Sequence, residues 1–328
     1  MRKNPLIKKS WAIGTILLFI GTSLIPSTAQ NIEKSPSSRG NWLYVGGSGP
    51  GNYTTIRDAI DNASDGDTVY VFQGTYYYIG YINNSINLIG ENRDTTIIGI
   101  REPFTIFWVF ADNFHIKNFT LWNYGKYTKP KIYIYSNSCI IENMRFMVEP
   151  GSASLSLGEI YLISANNTII RNNFFNYPPT MVQIGAAIRS DHSSNTTIED
   201  NKMDLYLAGI SLYNESNGNI ISNNTINSYL GIENSKNNVL IGNDLFILIL
   251  DNASVTVTNN DFENYSLETW LRAGQQVQCR NTEITLDNNY WGRQRWLPKI
   301  FLGTRTMSGK TRLTTVVDWH PAQEPYDI

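Results

Sequence analysis

Charge is scarce in this chain. Of 328 residues only 16% are charged, and 26 Lys and Arg stand against 28 Asp and Glu for a net charge of −2. No global basic or acidic excess points to a polyanionic or polycationic partner, and nucleic acid is not expected. Histidine and cysteine are rarer still. His115, His192 and His320 lie far apart, and no His-x-His or Cys-x-x-Cys occurs, so the usual ligand spacings of a transition-metal site are missing. No metal or cofactor is expected. Ca²⁺ could be taken by acids and loop carbonyls, since hard cations prefer oxygen, but no dedicated loop such as an EF-hand is present.

Long apolar runs are also absent, with one exception. Arg2, Lys3, Lys8 and Lys9 precede "WAIGTILLFIGTSLI" (11–25), and "PSTAQ" follows with Ser27 and Ala29 at the small-residue positions of a cleavage site. Residues 1–29 therefore read as a signal peptide, helical in its apolar part, and 30–40 as a polar linker. The mature chain is expected outside the membrane, secreted or at the cell surface. Retention of 11–25 as a signal anchor is the alternative, and the one membrane contact expected.

Against these absences stands a repeat. "IKNFTL" (116–121), "IENMRF" (141–146), "IRNNFF" (170–175), "IEDNKM" (198–203), "ISNNTI" (221–226), "LIGNDL" (240–245), "VTNNDF" (257–262) and "LDNNYW" (286–291) share one pattern. The first position is aliphatic, the sixth apolar. The third is Asn118, Asn143, Asn172, Asp200, Asn223, Gly242, Asn259 and Asn288. Asn, Asp and Gly are the residues that tolerate positive φ. A straight strand places residues five apart on opposite faces. A bend at the third position turns both apolar residues inward instead. Strand, bend, strand, repeated at intervals of 25, 29, 28, 23, 19, 17 and 29 residues, describes the rungs of a β-solenoid. The varying interval implies loops of different lengths elsewhere on each rung. Asn173, Asn201, Asn224, Asn243, Asn260 and Asn289 occupy the fourth position, and stacked amides at about 4.8 Å spacing can form a hydrogen-bonded ladder.

In an exported protein Cys139 and Cys279 invite a disulfide. Six rung intervals separate them, on the order of 29 Å at about 4.8 Å per rung, whereas a disulfide needs Cα atoms within about 7 Å. Two separate thiols are expected.

The ends need caps. "YTTIRDAIDNAS" (53–64) sets Ile56, Ala59, Ile60 and Ala63 on one helical face, with Thr55 and Asp58 as a capping box. "GDTVYVFQGTYYY" (66–78) alternates as a strand, and "INLIGENRDTTIIGI" (86–100) reads as the first full coil. Together with the later "NNYWG" (288–292) and "DWHPA" (318–322), this opening resembles right-handed parallel β-helix proteins of the pectin-lyase-like group, which includes pectin methylesterases, polysaccharide lyases, NosD-type proteins and archaeal surface proteins. The resemblance covers roughly 41–328. It implies an all-β, right-handed parallel β-helix of about ten coils with a short N-terminal helical cap over 41–292, and a cap or tail over 293–328. It says little of function, because the fold hosts many activities.

The methylesterase string "GQDTL" and the Gly-His-Gly of glycoside hydrolases are absent. A NosD-like copper role lacks ligands. The best catalytic candidates lie in and after "AIRSDHSSN" (187–195): Arg189, Asp191, His192, and Glu215 on the next coil, with Glu233 and Asp251 beyond. Abstracting a proton beside a uronate carboxylate needs a base and a cation, roles that His192 or Asp191 and Arg189 could fill. "SDHS" is similar to the Asp-Pro-His-Asp of alginate epimerases but lacks its proline and second aspartate. "TYYYIGY" (75–81) and "IYIY" (132–135) supply aromatics for core or ladder packing, or for sugar stacking. Ten Asn-x-Ser/Thr sequons occur, available for glycosylation where exposed.

Between Asp287 and Asp318 there is no acid, while Arg293, Arg295, Lys299, Arg305, Lys310 and Arg312 fall there near Trp291 and Trp296. This stretch reads as a solvated basic cap or as a patch for an acidic glycan or phospholipid headgroups. The favoured function is a non-enzymatic secreted or surface protein that binds carbohydrate or supports the envelope, with acidic polysaccharide or envelope glycan as the expected partner. The alternative is a lyase or epimerase, before a hydrolase, acting on acidic polysaccharide.

Overall fold

The computed structural model describes residues 40–123, 129–148, 158–176, 185–204, 208–262, 276–307 and 310–326. The expected signal peptide (1–29) and almost all of the expected 30–40 linker lie outside them. The described chain belongs to one unit, Arg39–Ile328, and winds as a right-handed parallel β-helix. Three parallel sheets form its walls. Sheet 1 holds the strands that precede the Asn bend, such as Ile140–Glu142; sheet 2 those that follow it, such as Arg145–Val148; and sheet 3 the strands that close each turn, such as Gly158–Ile163. Nine rungs carry strand in all three sheets, and a tenth closes through Glu283–Asp287, a single bridge at Tyr290, and Lys299–Met307.

The bend residues Asn118, Asn143, Asn172, Asp200, Asn223, Gly242, Asn259 and Asn288 have φ between 50° and 66°. The apolar residues on either side turn inward as a result. Ile116, Ile141, Ile170, Ile198, Ile221, Leu240, Val257 and Leu286 pair in register up sheet 1 and are buried. Leu121, Phe146, Phe175, Met203, Ile226, Leu245 and Phe262 do the same in sheet 2. Aromatic members stack face to face, Phe146 on Phe175 at 4.6 Å and Phe262 on Trp291 at 4.2 Å. At roughly 1.5–3 kcal/mol per buried aliphatic or aromatic side chain, these files are the main source of cohesion.

Inside the bend runs the amide ladder. Asn173, Asn201, Asn224, Asn243, Asn260 and Asn289 are buried. Each donates Nδ2 to the Oδ1 of the next at 2.9–3.1 Å and to the carbonyl of the aliphatic residue one rung back. Each Oδ1 also accepts the backbone N–H of the rung before it. The file ends on Asp318, fully buried, whose Oδ2 accepts from Asn289 N (3.1 Å), Asn289 Nδ2 (3.2 Å) and Trp291 Nε1 (3.0 Å).

A second column of bends, not separated from the first in the sequence, joins sheet 3 to sheet 1. Ser164, Asn167, His192, Asn195, Asn214, Glu215, Asn234, Asn237, Asn252 and Asn281 all take positive φ there. The varying repeat interval has its origin at the third corner. Strands Thr225–Glu233 and Asp244–Asp251 run from sheet 2 into sheet 3 without a break. These are the rungs with the shortest intervals, 19 and 17 residues. In the longer rungs, intervening chain separates the two sheets.

The N-terminal cap is a helix, Ile56–Asp61, shorter than the 53–64 pattern. Thr55 caps it, accepting from Asp58 N–H at 3.1 Å and donating to Asp58 Oδ2 at 2.7 Å. Ile56, Ala59 and Ile60 are buried against strands Trp42–Val45 and Thr68–Val71. Residues 66–78 form two strands, Thr68–Val71 and Gly74–Tyr76, because a corner falls at Phe72 and Gln73. At the far end, Lys299–Met307 and Lys310–Asp318 make an antiparallel hairpin. Cys139 and Cys279 are both free. Among the described residues, no helix is long and apolar enough to cross a membrane.

Candidate functional site

The outer face of sheet 3 carries the candidate residues Arg189 and Asp191, with His192 in the bend that follows. Alternation along each strand sends Phe107, Val109, Ile132 and Ile134 into the core and their neighbours outward. Register then stacks the outward residues rung on rung. Tyr81, Trp108, Tyr133, Tyr161 and Arg189 form one file. Phe110 and Tyr135 begin a second, which continues through Ile163 to Asp191, Tyr213, Glu233 and Asp251. Tyr81 lies 5.5 Å from Trp108, Phe110 stacks on Tyr135 at 5.1 Å, and Tyr133 stands 5.4 Å from Tyr161. Tyr81, Phe110 and Tyr135 are 61%, 50% and 40% exposed. Of the tyrosines in "TYYYIGY", Tyr78 is buried and stacks on Phe107 at 5.1 Å, so that string serves both core and surface.

The aromatic strip ends at Arg189. Its guanidinium lies between two rings, 4.9 Å from the centroid of Tyr161 and 4.8 Å from that of Tyr213. A cation over two ring faces is attracted by both, and a guanidinium carries donors in a geometry that matches a planar carboxylate. Asp191, two residues on and on the same face, accepts from Tyr161 Oη (3.2 Å) and Asn214 Nδ2 (3.0 Å), and its Oδ1 lies 2.8 Å from His192 Nδ1. Partial burial would raise the Asp191 pKa. The bonds from Asn214, Tyr161 and His192 outweigh it and hold the carboxyl below its ordinary value.

Arg189, Asp191 and His192 are thus brought together. Glu215 is not. It sits in the bend of the following rung at φ 63°, its N–H donating to Asn234 O at 2.8 Å, with its side chain exposed. Glu233 and Asp251 continue the same outward file, and Arg280 clamps Asp251. The surface here is shallow. The hollow beside Arg189, between Ala186, Ala208, Ser211 and Tyr229, measures about 50 Å³, against roughly 300–1,000 Å³ for an enclosing ligand pocket. A larger hollow of about 310 Å³ lies elsewhere, lined by Lys236, Asn252, Glu283 and Arg305.

Sheet 1 carries a different cluster. Glu142 receives Arg171 Nε at 2.8 Å, lies 2.9 Å from His115 Nε2 and 3.6 Å from Lys117 Nζ. Burial would raise its pKa, but Arg171 and His115 bring it below the usual value, while burial lowers that of His115. This is a surface clamp across three rungs. His115, screened above as a metal ligand, is committed to it. His320 lies 3.0 Å from Asp287, far from either cluster in the chain. Among the described residues no group of three or more His, Cys, Asp or Glu side chains converges as a metal site would require. Sequence reasoning missed one buried element altogether: the Lys131–Glu159 ion pair, both partners fully enclosed. Burial lowers the Lys131 pKa against the raising effect of Glu159. Neither residue sits in a motif, and only sheet 3 register joins them.

No protein-family model matches the chain, and no curated protein does. Solved structures match at low identity. The catalytic domain of an α-1,3-glucanase of family GH87, solved with nigerose, is 10% identical over 84% of this chain and 57% of that one, with a TM-score of 0.46. A rhamnogalacturonan lyase is 15% identical over 75% and 83%, TM-score 0.48. PfbA, a surface adhesin of Streptococcus pneumoniae, is 13% identical over 82% and 95%, TM-score 0.44. The chain therefore spans little more than half the length of the glucanase domain.

Proposed function

We propose that this is a secreted or cell-surface protein that binds acidic polysaccharide along sheet 3 without transforming it. The observation that carries the reading is the file from Tyr81 through Trp108, Tyr133 and Tyr161 to a ring-sandwiched Arg189. Rungs repeat at about 4.8 Å, so the strip offers several apolar platforms along a direction a glycan chain could follow. Aromatic faces suit the C–H faces of sugar rings. Arg189 at the end offers a fork for a uronate carboxylate.

Two features favour binding over catalysis. The surface at Arg189 is shallow, so water stays in contact with any bound sugar, and electrostatic stabilisation of a developing anion is weak there. Asp191 is held below the ordinary carboxylate pKa, whereas an efficient general base has a pKa near the working pH. The second reading, a lyase or epimerase with His192 as base and Arg189 as cation, rests on the 2.8 Å contact that orients His192 on Asp191.

Titration calorimetry with polygalacturonate and alginate oligosaccharides tests the proposal. Binding should weaken by about tenfold or more in Trp108→Ala and Tyr135→Ala, as expected when a stacking pair worth ~0.5–1.5 kcal/mol and its buried area are lost. Arg189→Ala should abolish the preference for charged over neutral oligosaccharides. Unsaturated product absorbing near 235 nm, lost in His192→Ala, would transfer the assignment to the lyase reading. Failure to bind any acidic glycan would end both.

A further inference from the structure

The C-terminal hairpin has one face that the solenoid does not use. Strands Lys299–Met307 and Lys310–Asp318 pair antiparallel, and their residues alternate between two sides. Phe301 and Val316 face the core; Phe301 lies 4.8 Å from the buried Trp291. The cross-strand pairs of the other side are Ile300 with Val317, Leu302 with Thr315 and Thr304 with Leu313. Ile300, Leu302 and Leu313 are 59%, 54% and 76% exposed, and in the flanking chain Trp296, Leu297 and Trp319 are 89%, 76% and 66% exposed. Large apolar side chains grouped at this exposure mark an interaction surface.

The charge around them has one sign. All six charged residues between Asp287 and Asp318 are Lys or Arg, in a chain whose net charge is −2. By the same alternation Lys299, Arg305, Lys310 and Arg312 fall on the Phe301 side of the ribbon, while Arg293 and Arg295 lie in the chain beside Trp296 and Leu297. We propose that this hairpin face docks on an anionic lipid bilayer, with Trp296, Leu297, Leu313 and Trp319 in the headgroup region, Arg293 on lipid phosphates, and the cations of the opposite side within a Debye length of the membrane surface. Exposed Trp and Leu rimmed by Lys and Arg are the side chains that partition to a membrane interface. An acidic glycan would account for the cations but not for the bare Leu and Ile. A second copy of the hairpin would press like charge on like. The crowding of positive charge is felt on the solenoid side of the hairpin as well. Lys299, over the Trp291 and Phe301 rings, has its pKa pushed down to about 8, by burial first and then by Arg295 and Arg293. This surface takes up the phospholipid reading of the basic segment and is distinct in sequence from residues 11–25.

The test uses the full chain with phosphatidylcholine vesicles, with and without equimolar phosphatidylglycerol, carrying brominated acyl chains that quench tryptophan on contact. Wild type should bind the anionic vesicles and lose part of its emission. In Trp296→Phe/Trp319→Phe that quenched component should vanish while binding persists. Trp11 in the signal segment is common to both proteins, so the difference reports on the hairpin alone. Arg293→Gln/Arg312→Gln should weaken binding to the anionic vesicles roughly fivefold per charge removed. Circular dichroism checks that each variant folds, since all four positions are at least partly exposed. Equal quenching in wild type and the double-Phe variant would overturn the proposal. So would a dimer in sedimentation equilibrium that Leu313→Glu dissociates, or binding to acidic glycan but not to anionic vesicles that the Arg293→Gln/Arg312→Gln variant loses.

Discussion

Asn224→Ala should be among the most damaging single substitutions in the chain, although it removes no apolar surface and no charge. The Asn224 carboxamide is buried in mid-ladder. Its Oδ1 accepts from Asn201 N and Asn201 Nδ2, both at 3.0 Å, and its Nδ2 donates to Ile198 O (2.9 Å), Ser222 O (2.9 Å) and Asn243 Oδ1 (3.0 Å). Alanine leaves the Asn201 N–H groups facing a methyl, where water has no path. A buried hydrogen bond contributes about 1 kcal/mol net, and each orphaned buried group costs about 1–3 kcal/mol. The total comes to roughly 4–6 kcal/mol, close to the whole stability of many domains. Its neighbour provides the control. Asn223 is exposed and holds φ at 54°, so Asn223→Ala adds left-handed strain of about 1–2 kcal/mol, and Asn223→Gly should be nearly neutral. Guanidinium unfolding of the full chain, followed by circular dichroism, compares the three. If Asn224→Ala unfolds at the same midpoint as Asn223→Ala, the ladder does not bind the rungs together as argued.

Other expectations follow from buried charge and from the thiols. Lys131→Ala leaves the Glu159 carboxylate enclosed without its ammonium and should cost about 3–5 kcal/mol, whereas Lys131→Met/Glu159→Leu should recover most of that; thermal melts of the two variants decide it. Asp261 has its pKa raised to about 6, by burial and by Asp244 against the lowering effect of the Tyr326 N–H. The folded state therefore holds a proton that the unfolded state has lost, so this site makes the protein more stable as pH falls from 7 toward 4. Asp261→Asn should flatten that part of a melting-temperature profile and raise stability at pH 7; an unchanged slope would show that other groups set it. Burial raises the pKa of both thiols. Cys279, only partly enclosed, should react slowly with a thiol reagent in the native state, and Cys139 only after unfolding.

The rungs were legible because their constraint is local. Only a small polar residue accepts φ near 55°, and the inward turn on either side of it demands apolar partners three positions apart from the bend or less. The second bend column, at Ser164, His192, Asn214 and their kin, uses nearly the same alphabet. It went unseen because it lacks an aliphatic frame at fixed distance. Contacts between rungs were harder. Arg189 meets Tyr161 through register and Tyr213 on the diagonal from its own partner Ser211, and the sequence separations differ from one rung to the next. The hairpin at 299–318 carries no Asn bend, and the consecutive apolar residues Ile300, Phe301 and Leu302 hide its two-sided alternation, so the segment shows in the sequence by its charge and not by its strands. Tyr81, Phe110 and Tyr135 could be recognised as aromatic, but which of them face solvent depends on where each strand begins.

The amide column has a direction. Every carboxamide donates forward to the next oxygen, offers its own oxygen to the rung behind, and donates back to a main-chain carbonyl that every rung has, so any member can follow any other, and only the last needs something different. Asp318 is that terminator: a group with acceptors and, as a carboxylate, no hydrogens to hand on. A stack built this way can gain or lose interior turns, such as the 19-residue unit between Asn224 and Asn243, and every new junction will already be satisfied. The closing turn has no such freedom. Lineages of this chain should therefore vary in length through their middles and keep the same final carboxylate.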